Sequence, residues 1–147
     1  MKLYLLRHGD AEIYSQNGDR GRELSDLGRN QSRKAGRYLK DVHPGVVLMS
    51  TFVRAKQTLE IVNREGGSCA LREFVSLDVS PSGSLEDLMI EINTYREDSV
   101  CVVGHNPQLS NLIEYLTGEK RTMGNCSFAE IDLESKKLIE FKTVEEM

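Results

Sequence analysis

Three short β-rich runs, KLYLL at 2–6, VVLMS at 46–50 and SVCVV at 99–103, each feed a stretch with helical periodicity. Parallel strands need a long crossover, and a helix is the usual one, so this alternation predicts an α/β domain with a mostly parallel sheet. Leu85, Leu88, Met89 and Ile92 fall on one helical stripe, and Leu109, Leu112, Ile113 and Leu116 repeat it. Ala55, Leu59 and Val62 form a third stripe within 53–63. Ser25 or Asp26 caps a helix running to about Lys40, which His43-Pro44-Gly45 ends, leaving His43 at the surface. A loop at 64–68 leads to a strand near 70–75, and Pro81-Ser82-Gly83 is turn chemistry with Ser84 as the next N-cap. A helix ends near Gly118, and 127–133 with 138–142 reads as a hairpin. At 147 residues the chain is expected to form one domain over 1–147, with one site.

Composition removes several function classes. A net charge of -4 disfavours a nucleic-acid partner. The Arg20/Arg22 pair and the Arg29/Arg33/Lys34/Arg37 cluster are the local exceptions, the second reading as a solvated helix face. No apolar run approaches the ~20 residues of a membrane helix, and no signal peptide opens the chain, so a cytoplasmic protein without a membrane partner is expected. Cys69, Cys101 and Cys126 show no C-x-x-C spacing, which predicts reduced thiols and neither disulfide nor zinc.

Ligands of parallel sheets bind beyond the carboxyl ends of the strands, and three strand ends here carry unusual residues. The first ends in Arg7-His8-Gly9, the second leads through STFV to Arg54, and the third ends in Gly104-His105-Asn106-Pro107. Each alone has an ordinary structural reading. Together, on neighbouring strands, two histidines and two arginines would repel unless an anion sat between them. A phosphoryl group fits, because the guanidinium fork matches its oxygens. Asn106 as N-cap and Pro107 at the first helical position would add free backbone N–H groups, placing Asn106 in the phosphate-binding set.

LLRHGDAE, RELSDLG, STFVRAKQT and VVGHNP, with MGNCSFAEIDL near the end, together resemble the histidine phosphatase, or phosphoglycerate mutase-like, superfamily. Within it they are most similar to the phosphohistidine phosphatase SixA branch. The resemblance implies a three-layer α/β/α fold. It makes His8 the nucleophile that forms a phosphohistidine intermediate, and Arg7, Arg54 and His105 the phosphate pocket. Arg22 matches a further pocket arginine of that branch. Neutral imidazole is a competent nucleophile near pH 7, and the arginines suit charge on the equatorial oxygens. His105 would act as a cation, and Gly9 would let the chain turn. No cofactor and no metal are implied.

The general acid is harder to place. Ester-cleaving members of the superfamily set a glutamate after the third strand, and here Glu73 and Asp78 stand nearby, with Asp10 and Glu12 beside the nucleophile as alternatives. An alkoxide needs a proton to leave, whereas imidazole is far less basic. Lack of a clear acid therefore favours a phosphoramidate substrate. The short chain has little to roof its site, which favours a phosphohistidine-bearing protein domain as partner. A small-molecule phosphomonoesterase and a phosphate-dependent binding module are the alternatives. No cysteine has an arginine six positions later and no G-x-x-x-x-G-K-[ST] occurs, which excludes cysteine phosphatases and P-loop NTPases. Zinc on His8, His105 and Asp10 would be opposed by the adjacent arginines.

Overall fold

The computed structural model describes residues 1–67, 70 and 72–147. In chain order it forms β1 (Lys2–Arg7), α1 (Asp26–Tyr38), β2 (Val46–Met49), α2 (Val53–Arg64), β3 (Arg72–Val75), α3 (Leu85–Ile92), β4 (Ser99–Gly104), α4 (Gln108–Thr117), β5 (Phe128–Asp132) and β6 (Lys137–Lys142). A short 3-10 turn at Asp19–Gly21 interrupts the long loop after β1. The expected loop and strand also touched Ser68, Cys69 and Leu71, which lie outside the described residues.

The strands form a six-stranded sheet ordered β3-β2-β4-β1-β5-β6. β1, β2, β3 and β4 run parallel, and β5 and β6 close one side as an antiparallel hairpin. Strand alternation divides the apolar residues between two faces. Leu3, Leu5, Val46, Leu48, Val100 and Val102 pack under Leu88 and Ile92 of α3 and Leu109, Leu112 and Ile113 of α4. Tyr4, Leu6, Val47, Cys101 and Val103 face Ala35 and Leu39 of α1 and Ala55, Leu59 and Val62 of α2. The result is the expected α/β/α sandwich, and each fully buried leucine contributes ~1.5–3 kcal/mol of hydrophobic free energy.

Local chemistry sets the helix ends. The Ser25 hydroxyl accepts from Gly28 N, and the Ser84 hydroxyl accepts from Asp87 N, as N-caps. α4 ends on Gly118, whose φ of 78° is the left-handed conformation that glycine adopts without a Cβ penalty.

Strand register decides where the site lies. Arg7 pairs with Gly104 and Met49 with Val103. His8 and His105 therefore leave the sheet side by side, and Ser50 comes level with Gly104. The three strand ends singled out in the sequence are adjacent.

Candidate active site

His8 is 6% exposed. Its Nδ1 lies 2.7 Å from Gly9 O, a carbonyl that can only accept, so Nδ1 carries the proton and Nε2 keeps the lone pair. Burial first, then Arg54, Arg7 and Arg22, push the imidazole down to about 4, against the opposing effect of the Gly9 carbonyl. The ring is neutral at pH 7. Asn125 Nδ2 donates to His8 O at 3.3 Å, and Cys126 N donates to Arg7 O and His8 O, so the segment before β5 braces the end of β1.

Gly9 N donates to Thr58 Oγ1, which donates to Arg54 O. This ties the turn to the first turns of α2. The need for glycine at position 9 is one of space: a Cβ there would stand 2.7 Å from Gly28 O. Gly9 has no left-handed φ, so the expected conformational role gives way to close approach.

Arg54, 5% exposed, reaches His8. Its Nε donates to His8 Nε2 at 3.3 Å, while Nη1 donates to Asp19 O at 2.8 Å and Nη2 to Asp19 Oδ2 at 3.4 Å. Arg22 Nη1 donates to Asp19 Oδ1 at 2.9 Å and Arg22 Nε to Glu12 O at 2.6 Å. Arg22 thus lies at the rim; its charge reaches His8, while its own hydrogen bonds run to the loop. The 3-10 turn that supplies Asp19 meets the outer end of Arg54.

His105 is 1% exposed, and its ring centroid lies 5.0 Å from that of His8. Its Nε2 is 2.6 Å from Ser50 Oγ, and Phe52 meets its ring edge-on with centroids 4.6 Å apart. Burial, followed by His8 and Arg54, pushes His105 down to about 3, so without an anion beside it the ring is neutral at pH 7. Arg7 Nη1 donates to Met123 O at 3.1 Å. Among the described residues, Arg7 Nε and His105 Nδ1 are buried without a hydrogen-bond partner. Unpaired buried polar atoms are costly, and two of them in one pocket mark where an anion's oxygens would be received.

Asn106 corrects the sequence reading. α4 starts one residue later than expected, with Pro107 at the cap position, while the side chain of Asn106, one residue earlier, still accepts from a first-turn N–H. The Asn106–Pro107 peptide is cis. The Asn106 amide is already engaged: Nδ2 donates to Met123 O at 2.6 Å, and Oδ1 accepts from Ser110 Oγ at 2.6 Å and Ser110 N at 3.3 Å. Its side chain shares the Met123 carbonyl with Arg7, and so braces that arginine.

The acid candidates hold partners other than His8. Asp10 Oδ2 accepts from Ser25 Oγ at 2.6 Å at the head of α1. Glu73 is exposed on edge strand β3, and its Oε2 accepts from Asn63 Nδ2 on α2. Burial raises the Glu91 carboxyl, and the hydrogen bond and charge of Asp78 raise it further, so Asp78 faces α3. Glu12 is exposed and lines a separate cavity of about 440 Å³ with Tyr14, Ser15, Asn17, Glu23 and Val53. Sequence reasoning missed Asp19, Ser50, Phe52 and Thr58; only STFVRAKQT, which contains three of them, offered a signal.

Comparison with known proteins fits this geometry. The sequence model described as "Histidine phosphatase superfamily (branch 1)" matches residues 3–78. The phosphohistidine phosphatase SixA of Escherichia coli strain K12 is 31% identical over 136 residues, covering 86% of this chain and 81% of that protein. The chain belongs to the histidine phosphatase superfamily. The solved structure of the protein histidine phosphatase SixA complexed with tungstate superposes with a TM-score of 0.88 at 26% identity, covering 98% of this chain and 97% of that one. Superfamily likeness also extends to the probable fructose-2,6-bisphosphatase TIGAR A of Danio rerio, 38% identical over 78 residues. That match spans 50% of this chain and only 30% of the relative's length. Among the described residues, no helix is long and apolar enough to cross a membrane.

Proposed function

We propose that this protein is a phosphatase that transfers a phosphoryl group to His8 Nε2 and then to water, with phosphohistidine on another protein as its substrate. The observation that carries the reading is the tautomer of His8: Gly9 O holds the proton on Nδ1, and the Nε2 lone pair points into a pocket with Arg54 Nε at 3.3 Å. In the first step the Nε2–P bond forms as the substrate's P–N bond breaks. A substrate imidazole protonated on its other ring nitrogen leaves neutral, so no acid from the protein is required. In the second step water attacks phosphorus and His8 leaves as neutral imidazole, because Nδ1 has kept its proton throughout. The water loses its proton to the phosphate product or to solvent.

Arg54 and Arg7 supply donors for the equatorial oxygens as charge redistributes. His105 supplies another without being charged. With the Ser50 proton turned toward His105 Nε2, the ring proton sits on Nδ1, which is the partnerless buried atom. Asp10, Glu73 and Asp78 all bond elsewhere, which favours a leaving group that departs unaided. The relative named as a phosphohistidine phosphatase supports the same substrate class.

The test compares initial rates on a phosphohistidine-bearing phosphotransfer domain and on small alkyl phosphates. Faster turnover of the protein substrate, with acid-labile phosphate trapped on His8, is expected. The reverse order would replace this reading with a small-molecule phosphomonoesterase. Unchanged turnover in His8→Ala would remove the covalent mechanism.

A further inference from the structure

Asp19 projects from the 3-10 turn with its side chain 60% exposed, yet it meets a buried guanidinium that is 7% exposed. Both of its oxygens are used on arginines: Oδ2 accepts from Arg54 Nη2 and Oδ1 from Arg22 Nη1, and its main-chain carbonyl accepts from Arg54 Nη1. The guanidinium of Arg54 is planar, with its donors fixed relative to one another. Holding the Nη1/Nη2 end therefore determines where the Nε edge points, and Nε points at His8 Nε2. A freely rotating arginine would have to be aligned during each reaction cycle, and small misplacements of a catalytic donor are expensive.

We propose that Asp19 is a positioning residue for the phosphoryl-transfer site, acting through Arg54: it grips the outer end of the guanidinium so that the inner edge is presented to the nucleophile. The inference rests on the phosphatase reading for its consequence and on the geometry alone for its mechanism. It goes beyond a simple ion pair. The hydrogen bond from Arg22, with that from Arg54 beside it, holds the Asp19 carboxyl below its ordinary range despite its exposure. Asp19 thus remains an ionised clamp at working pH and is no proton donor. The carboxylate also offsets part of the positive charge gathered by Arg7, Arg22 and Arg54.

The opposite role, in which Asp19 imitates substrate and must be displaced, is separated by experiment: Nη2, which Asp19 Oδ2 holds, also borders the edge that carries Nε, and losing a competitor there would tighten tungstate binding in Asp19→Ala.

The experiment is a double-mutant cycle on the full chain, read by calorimetric binding of tungstate and by turnover of a phosphohistidine peptide. Asp19→Ala is expected to weaken tungstate binding and lower kcat/KM by ~10-fold or more, with Asp19→Asn intermediate because one carbonyl oxygen can serve one arginine. In the Arg54→Ala background the same change at Asp19 should have almost no effect. A loss less than threefold larger in the wild-type background than in Arg54→Ala overturns the inference, as does tighter tungstate binding in Asp19→Ala or a wild-type chain that binds none. Where Arg54→Ala abolishes measurable binding, nitrogen-15 spectra decide: the Arg54 Nε–H resonance should shift in Asp19→Ala, and an unchanged resonance overturns the proposal. If wild type binds tungstate but turns over no phosphorylated substrate, the phosphatase reading fails while the binding cycle still judges Asp19.

Discussion

Arg54 Nε stands 3.3 Å from His8 Nε2, the nitrogen that Gly9 O leaves without a proton. One guanidinium therefore touches directly the atom proposed as nucleophile, and under that proposal it can follow the phosphoryl group. Arg54→Lys keeps a positive charge and loses the planar edge, so charge alone cannot replace it. The expected outcome is a fall in kcat of ~100-fold or more, with the melting temperature little changed. Steady-state kinetics beside a thermal melt make the check.

Ser50 has a different part. Its hydroxyl accepts from Phe52 N and meets His105 Nε2 at 2.6 Å; donating its proton to Nε2 would leave Nδ1 as the donor of the ring. Ser50→Ala should lower kcat by ~10-fold or more while keeping the fold, since the lost volume is one oxygen. Full activity in Ser50→Ala would mean that the His105 tautomer is set by some other contact.

Much of this was readable beforehand because strand ends and helix stripes are local patterns. Periodicity with the rule that parallel sheets bind beyond their carboxyl ends pointed to the strand ends, and the resemblance implied the sandwich. The strand order then makes the three ends neighbours, so that the convergence of Arg7, His8, Arg54 and His105, conditional in the sequence, holds. What was not readable depends on which polar group captures which. Asn106 does accept from a first-turn N–H of α4, Ser110 N, but its amide is also tied to Met123 O and Ser110 Oγ, and α4 begins one residue later. Asp10 looked poised beside the nucleophile, but Ser25 holds its carboxylate. Asp19 sits in a stretch without periodicity, and only the tertiary approach of the 3-10 turn to α2 gives it a role. Burial was equally unreadable from the sequence, and it is the leading cause that pushes His105 down.

Glu73 offers a control. It lies on an edge strand and accepts from Asn63, outside the His8 pocket. Glu73→Gln should leave kcat/KM on both phosphohistidine and alkyl phosphate substrates within about twofold, as expected of an exposed substitution far from the chemistry. A selective loss on alkyl phosphates would restore it as a general acid.

Gly28 binds two segments by the absence of a side chain. A Cβ there would come within 1.9 Å of Asp10 O, and so into the backbone that follows His8 and Gly9. Neither α1 nor that segment can move without breaking the bonds from Ser25 N to Asp10 O and from Asp10 N to Gln31. Gly28→Ala should cost ~1–3 kcal/mol or more in urea unfolding despite the better helix propensity of alanine, and should reduce activity more than stability alone explains. A gain in stability would show that α1 is free to shift.

Acid should weaken the fold through the two buried histidines. Their folded values lie at about 4 for His8 and about 3 for His105, against 6.5 for the free side chain, with burial the leading cause of both. Between those values the unfolded chain binds more protons than the folded one, so stability rises with pH across the window and is lost as pH falls below about 6.5. At pH 5 an unfolded histidine is almost fully charged and each of these folded ones mainly neutral, a loss of about 2 kcal/mol apiece relative to pH 7. Urea midpoints at pH 7 and pH 5, in buffers free of phosphate, measure it. His105→Gln should remove about half of the pH-dependent loss whatever it does to stability at pH 7, because glutamine has no proton to gain. An unchanged slope in that variant would place the acid sensitivity in the carboxylates instead.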